Sequence, residues 1–218
     1  MKIIAHRGAW CRDELYGLTQ CEKNSREAFV RAVKFGFGIE TDFRDICGKI
    51  VISHNPPKAD AMPAEEFFEL LQPGQIVAVN VKADGLAEDL RKLWQRYAPN
   101  TQPFAFDMSV PDTLGFVKAR FPFYERRSEY EKDEVWSTAS GIWLDGFHSI
   151  WFDSELITSL LKVGKPVCIV SPELHGRDYQ DLWEKLKLII MAYPNFKNYL
   201  QLCTDAPYEA QRFFNSGK

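Results

Sequence analysis

From one end of the chain to the other, short runs rich in β-branched and aromatic residues alternate with stretches of helical periodicity, and no Pro/Ser/Gly-rich linker interrupts them. The sequence predicts strands at Lys2–Arg7, Gly38–Asp45, Lys49–His54, Ile76–Lys82, Phe104–Ser109, Phe123–Ser128, Gly141–Phe147, Pro166–Ser171 and Tyr199–Asp205. Lys49–His54 reads as a hairpin continuation of the second strand through Cys47-Gly48. Between the strands lie helical patterns. Ser25 is placed to N-cap a helix over Arg26–Phe35 with the apolar stripe Ala28, Phe29, Ala32 and Val33, and Gly36 stops it. Further helices are predicted from Pro63 onward and over Ala87–Tyr97, Pro111–Arg120, Ser154–Val163, Tyr179–Ala192 and Tyr208–Asn215.

About eight such βα units in succession call for parallel strands with helical crossovers. An α/β closed barrel and an open doubly wound sheet both satisfy that pattern. No Gly-rich loop follows the first strand, and polar residues gather at the C-terminal ends of nearly all strands. A barrel brings those ends around one site, whereas an open sheet spreads them along an edge. The expected fold is therefore a single (β/α)8 TIM barrel spanning residues 1–218.

With 218 residues, 45% hydrophobic and 26% charged, the chain has the material for one soluble core. A formal charge of -3 gives no global field to attract nucleic acid or an anionic membrane, so an anionic ligand must be held by a local cluster. Met1-Lys2-Ile3-Ile4 enters a strand at once, leaving no room for a signal peptide, and no apolar run reaches the roughly 18 residues of a membrane span. Five widely spaced cysteines without a CxxC pair fit reduced thiols better than a disulfide or zinc framework. The expected location is the cytoplasm, with no integral membrane segment and no nucleic-acid partner. Oligomeric state is not legible.

The chemistry begins at Ile39-Glu40-Thr41-Asp42-Phe43-Arg44. Strand alternation sends Glu40, Asp42 and Arg44 to one face and Ile39, Thr41 and Phe43 to the other. The apolar set suits packing on helices, which turns two carboxylates inward. Burying two like charges roughly 7 Å apart is costly unless a cation sits between them, and Mg²⁺ or Ca²⁺ suits oxygen ligands. The residues alone leave open the alternative of salt bridges to Arg7, Arg44 or Lys82. His6 and His54 stand at strand ends, where a pair of histidines suits general acid and base work. Asn80 and Lys82 share a face, and Lys82 offers a point charge to a phosphate.

Ile4-Ala5-His6-Arg7-Gly8, Asn24-Ser25 followed by Ala28-Phe29, Ala32, Gly36, Glu40-x-Asp42 and Ile52-Ser53-His54, in this order, resemble the N-terminal signature of the glycerophosphodiester phosphodiesterases. Thr204-Asp205-Ala206-Pro207 is similar to that family's closing motif. The resemblance implies a hydrolase of lipid metabolism on a TIM barrel. In it Glu40 and Asp42, with Asn80 beside them, hold a divalent cation, Arg7 and Lys82 bind the phosphodiester substrate, and His6 and His54 form the acid/base pair. It further implies attack by a substrate hydroxyl on phosphorus to give a cyclic phosphate. The sequence departs from the family at three places. Glu22-Lys23 stand where proline and glutamate are usual, Asn55 stands for an aspartate, and Asn80 stands for a metal-binding glutamate. Losing that charge is expected to weaken the metal site, unless another carboxylate such as Glu173 substitutes.

Later strand ends are also polar: Asp107 and Ser109, Arg126-Arg127-Ser128-Glu129, Asp145 and Ser171 to Arg177. Taken singly each reads as structural, and alternation lets at most one of Arg126 and Arg127 touch ligand. His148 with Trp143, Trp151 and Phe152 reads more readily as a cap on the barrel than as a headgroup rim. Two other functions fit less well. One is a phosphate-ligand binding barrel without turnover, favoured by Asn80 and Lys23. The other is a sugar-phosphate isomerase or aldolase, disfavoured because Lys82 beside carboxylates suits a charged lysine and not a Schiff base.

Overall fold

The computed structural model describes residues 1–132 and 136–216 and shows a mixed α/β protein. Contacts divide it into two compact units, residues 5–123 and residues 124–218 joined by 1–4, with the boundary inside the first strand.

The larger unit opens on the last two residues of β1 (Lys2–His6) and contains α1 (Arg26–Lys34), β2 (Gly38–Ile46), β3 (Lys49–Ile52), β4 (Met62–Pro63), α2 (Ala64–Phe68), β5 (Ile76–Val81), α3 (Ala87–Tyr97), β6 (Gln102–Phe106) and α4 (Val110–Ala119). β2 is its hub. It pairs parallel with β5, placing Asp42 opposite Asn80, and antiparallel with β3, placing Phe43 opposite Ile52. β5 continues parallel to β6, and β3 pairs antiparallel with the two-residue β4. The β2–β3 hairpin turns through Cys47 and Gly48 at φ 50° and 75°, both left-handed, as a tight two-residue hairpin turn requires. Phe43 points away from the carboxylate face into an aromatic group with Phe67, Phe68 and Trp94 from α2 and α3. That burial holds β2 in register, because a slip by one residue would bring the carboxylates into this group.

The smaller unit contains β7 (Tyr124–Arg127), β8 (Gly141–Leu144), α5 (Ser154–Lys162), β9 (Val167–Val170), α6 (Gln180–Ala192), β10 (Leu200–Thr204) and α7 (Pro207–Asn215). β7, β8, β9 and β10 run parallel in that order. Ile142, Leu144, Val167, Ile169, Leu200 and Leu202 meet Trp183 and Leu186 of α6 in one buried cluster.

The expected elements are all present, with shifted ends. The strand expected at Phe104–Ser109 stops at Phe106, because Asp107 adopts a left-handed φ of 64° and the Ser109 hydroxyl turns to cap α4 at Asp112 N–H. Ser25 caps α1 as expected, at Ala28 N–H. The short β4 and the single-turn helix Glu14–Tyr16, capped by Asp13, carry no periodicity and were not legible. Among the described residues no helix is long and apolar enough to cross a membrane.

Candidate active site

The turn after β1 sets the site. Arg7 and Gly8 both have positive φ, and a Cβ on Gly8 would lie 2.7 Å from the Ala28 side chain and 2.8 Å from its carbonyl carbon. Only glycine lets the chain press against the start of α1 in that conformation. The same turn directs Arg7 N–H to Glu40 Oε2 at 3.0 Å and brings Arg7 Nε to 3.1 Å from Asp42 Oδ2. His6 Nε2 stands 3.9 Å from Glu40 Oε2.

Glu40 and Asp42 are both buried, at 1% and 0% exposure. Around them β5 supplies Asn80, whose Nδ2 donates to Glu40 Oε1 at 3.2 Å, and Lys82, following that strand, lies 3.7 Å from Asp42 Oδ1. Lys82 also reaches Asp107 at 3.9 Å. Removal from water, followed by the charge of Asp42, pushes the Glu40 carboxyl above its ordinary value, against the pull of His6 and Arg7.

Asn24 ties these parts together. Its Nδ2 donates to Asp42 Oδ2 at 2.9 Å, its Oδ1 accepts from Thr41 Oγ1 at 2.8 Å, and its backbone N–H donates to Arg7 O at 2.9 Å. It does so at φ 56°, a conformation asparagine tolerates better than most residues. The sequence marked Asn24 only as part of a motif. Its bond to a residue 18 positions away is a tertiary fact.

His6, Arg7, Glu40, Asp42, Asn80 and Lys82 are thus brought together. Among the described residues, no side-chain hydrogen bond or ion pair joins His54 to them. Ser53 N–H donates to Asp42 O at 2.9 Å, so the end of β3 runs beside the middle of β2. The His54 imidazole itself is exposed and meets Asn55 Oδ1 at 3.0 Å. Arg44, one of the salt-bridge partners open from sequence, bonds instead to the His54 carbonyl. The other two, Arg7 and Lys82, do face Asp42.

Two buried acceptors in this cluster, Asp42 Oδ1 and Asn80 Oδ1, have no hydrogen-bond donor. They belong to register partners on adjacent strands. Buried oxygens without donors are the kind of ligand atom that a hard cation such as Mg²⁺ or Ca²⁺ takes, and the Glu40 carboxylate lies beside these two. Among the described residues no three His, Cys, Asp or Glu side chains are grouped to hold a metal. Here the third oxygen comes from an amide, so the residues fit a cation with one charge fewer than a three-carboxylate site.

In the smaller unit the polar strand ends bond to one another. Glu173 Oε1 accepts from Thr204 Oγ1 and from Asp205 N–H, so that oxygen is already engaged within its own unit. His175 Nε2 lies 2.8 Å from Asp145 Oδ1. Arg126 pairs with Glu131 and Arg127 with Glu125. Glu129 accepts from three consecutive backbone N–H groups, Phe147 to Ser149. Compared with known proteins, the chain matches no family model, and no curated protein matches it either.

Proposed function

We propose that this protein is a divalent-cation-dependent phosphodiesterase acting on a glycerophosphodiester-like substrate, a divergent relative of the glycerophosphodiester phosphodiesterases on a (β/α)8 barrel. The observation that carries the reading is the buried Glu40–Asp42 pair with donorless oxygens on Asp42 and Asn80, flanked by Arg7, Lys82 and His6. Glu40, Asp42 and Asn80 would hold the cation, which when bound supplies positive charge to a phosphoryl oxygen. Arg7 and Lys82 bind the anionic phosphate and offset the charge that grows on it. His6, 3.9 Å from Glu40, takes the proton from the attacking hydroxyl, and His54 returns one to the leaving alkoxide. A hydroxyl on the same substrate has a high effective molarity, which favours a cyclic phosphate.

A second reading, a phosphate-ligand binding protein without turnover, is favoured by the exposed His54 imidazole. Incubation with glycerophosphodiesters and an aryl phosphodiester, with Mg²⁺ or Ca²⁺ and with chelator, separates the two. Cation-dependent release of alcohol is expected. Tight phosphodiester binding with no turnover under any cation would replace the enzyme by the binding protein.

A further inference from the structure

We propose that the cation and the phosphodiester enter this site as a pair, each binding weakly without the other, because Arg7 and Lys82 exchange partners between Asp42 and the phosphate; the inference rests on the phosphodiesterase reading above. Its ground is the charge inventory. Glu40, Asp42 and Asp107 bring three carboxylates against the two fixed cations of Arg7 and Lys82, and His6 stands at the edge of the same group. The cluster is close to neutral before anything binds. A fourth acid, at position 80, would have left a surplus of negative charge to hold a divalent ion alone, and Asn80 supplies none.

The geometry sharpens this. The oxygen of Asp42 that lacks a hydrogen bond, Oδ1, is the one Lys82 Nζ approaches at 3.7 Å, and Arg7 Nε lies 3.1 Å from Oδ2. Neither contact counts as a hydrogen bond, since both Asp42 Oδ1 and Arg7 Nε are buried without one. A cation arriving alone meets an ammonium and a guanidinium already at its carboxylate, in a buried setting where like charges repel strongly. A phosphate arriving alone must draw Arg7 and Lys82 away from Asp42, leaving that carboxylate buried and unpaired. When both arrive, Arg7 and Lys82 move onto phosphate oxygens and Asp42 turns its freed oxygens to the cation. Every charge then has a partner. Such coupling is reciprocal: the factor by which phosphate tightens cation binding equals the factor by which the cation tightens phosphate binding.

The test is calorimetric titration of the full chain with Ca²⁺, alone and with saturating dimethyl phosphate, an anionic phosphodiester without a neighbouring hydroxyl to attack phosphorus. Neutral trimethyl phosphate is the control of similar shape. The expected result is at least a 10-fold tighter Ca²⁺ affinity with dimethyl phosphate, the same factor in the reverse titration, and no change with trimethyl phosphate. In Lys82→Gln and in Asn80→Asp, Ca²⁺ binding without the anion should tighten and the coupling factor should shrink. Ca²⁺ binding that is equally tight with and without the anion would overturn the pairing and leave the phosphodiesterase reading standing. No Ca²⁺ binding in either condition, checked also with Mg²⁺, would remove the cation from both.

Discussion

Both units put polar residues at the ends of their parallel strands, yet they use them in opposite ways. In the smaller unit Glu129 is bonded through both oxygens to backbone N–H groups, and the Asp145 carboxylate serves His175 and Gly146 N–H. Only one oxygen of Glu173 stays buried without a donor there among these acids. In the larger unit Asp42, more deeply buried than any of them, keeps Oδ1 without a hydrogen bond and has cations at 3.1 and 3.7 Å. A strand end that binds its own loops is scaffold. A buried acceptor left unsatisfied beside cationic side chains is a place where folding has left stability unclaimed, and such places are where ligands act.

The largest expected effect breaks or confirms that contrast directly. Asp42→Asn keeps the side-chain volume and removes the charge, so turnover of a phosphodiester should fall by about 10³-fold or more. Glu129→Gln should leave turnover within about 2-fold and lower the melting temperature instead, since its partners are loop amides. Steady-state kinetics and thermal melts on both variants decide it. Equal losses of turnover would mean the smaller unit's carboxylates also serve the chemistry.

Next in size are the histidines. His6→Ala should cost about 10²-fold or more in kcat. If His54 acts in the same proton relay, His54→Ala should cost a similar factor and the double variant far less than the product of the two. Its exposed imidazole makes this the more exacting half of the test. A His54→Ala enzyme with unchanged kcat would assign the leaving-group proton to solvent.

Smaller again is Asn24, which donates to Asp42. Asn24→Ala removes the donor to Asp42 Oδ2 and the acceptor for Thr41. We expect about a 10-fold loss in kcat/KM, with a stability loss of about 1–3 kcal/mol for the buried partners left unmade. A positioning role predicts more: Asn24→Asp, which fits the space but places a like charge on Asp42, should weaken Ca²⁺ binding less than it weakens kcat, while Asn24→Gly, at ease with φ 56°, should recover stability without recovering rate. If all three variants lose only stability, Asn24 is scaffold.

These residues also show what could be read from sequence and what could not. Strand alternation placed Glu40 and Asp42 opposite Phe43, and the aromatic partners of Phe43 bear that out. The Ser25 cap, the helix over Ala87–Tyr97 and the turn at Cys47-Gly48 were legible because each depends on neighbours within a few positions. The reach of Asn24 to Asp42, the left-handed Asp107 that ends β6, and the outward turn of the His54 ring depend on contacts between distant segments or on a single backbone angle. No periodicity encodes those. Arg7 shows the limit within the site itself: the residues alone left it open as a salt-bridge partner of the carboxylates while the family resemblance gave it to phosphate, and the structure finds it against Asp42.

The smallest expected effect is on stability against pH, and its sign differs between the units. For Glu129, partial removal from water works against ionisation, but the amides of His148, of Glu129 itself, of Ser149 and of Phe147 outweigh it and hold the carboxyl down to about 2. An acid with a depressed folded value adds stability that is present above its ordinary value of 4.5 and lost as pH falls toward and through about 2. Because this side chain is well solvated, screening keeps the contribution small. Glu40 has the opposite sign. Its folded value is raised by burial and by Asp42, so its contribution is present below 4.5 and lost as pH rises through the raised value. Urea midpoints measured in chelator at about pH 3, 5 and 8 should therefore respond to different substitutions at the two ends of the range. Glu129→Gln should flatten the acid side and Glu40→Gln the alkaline side. Were Glu40→Gln to leave the alkaline slope unchanged, the Glu40–Asp42 pair would already be neutralised by Arg7 and Lys82. The driving force proposed for taking up a cation would then have to come from the phosphate alone.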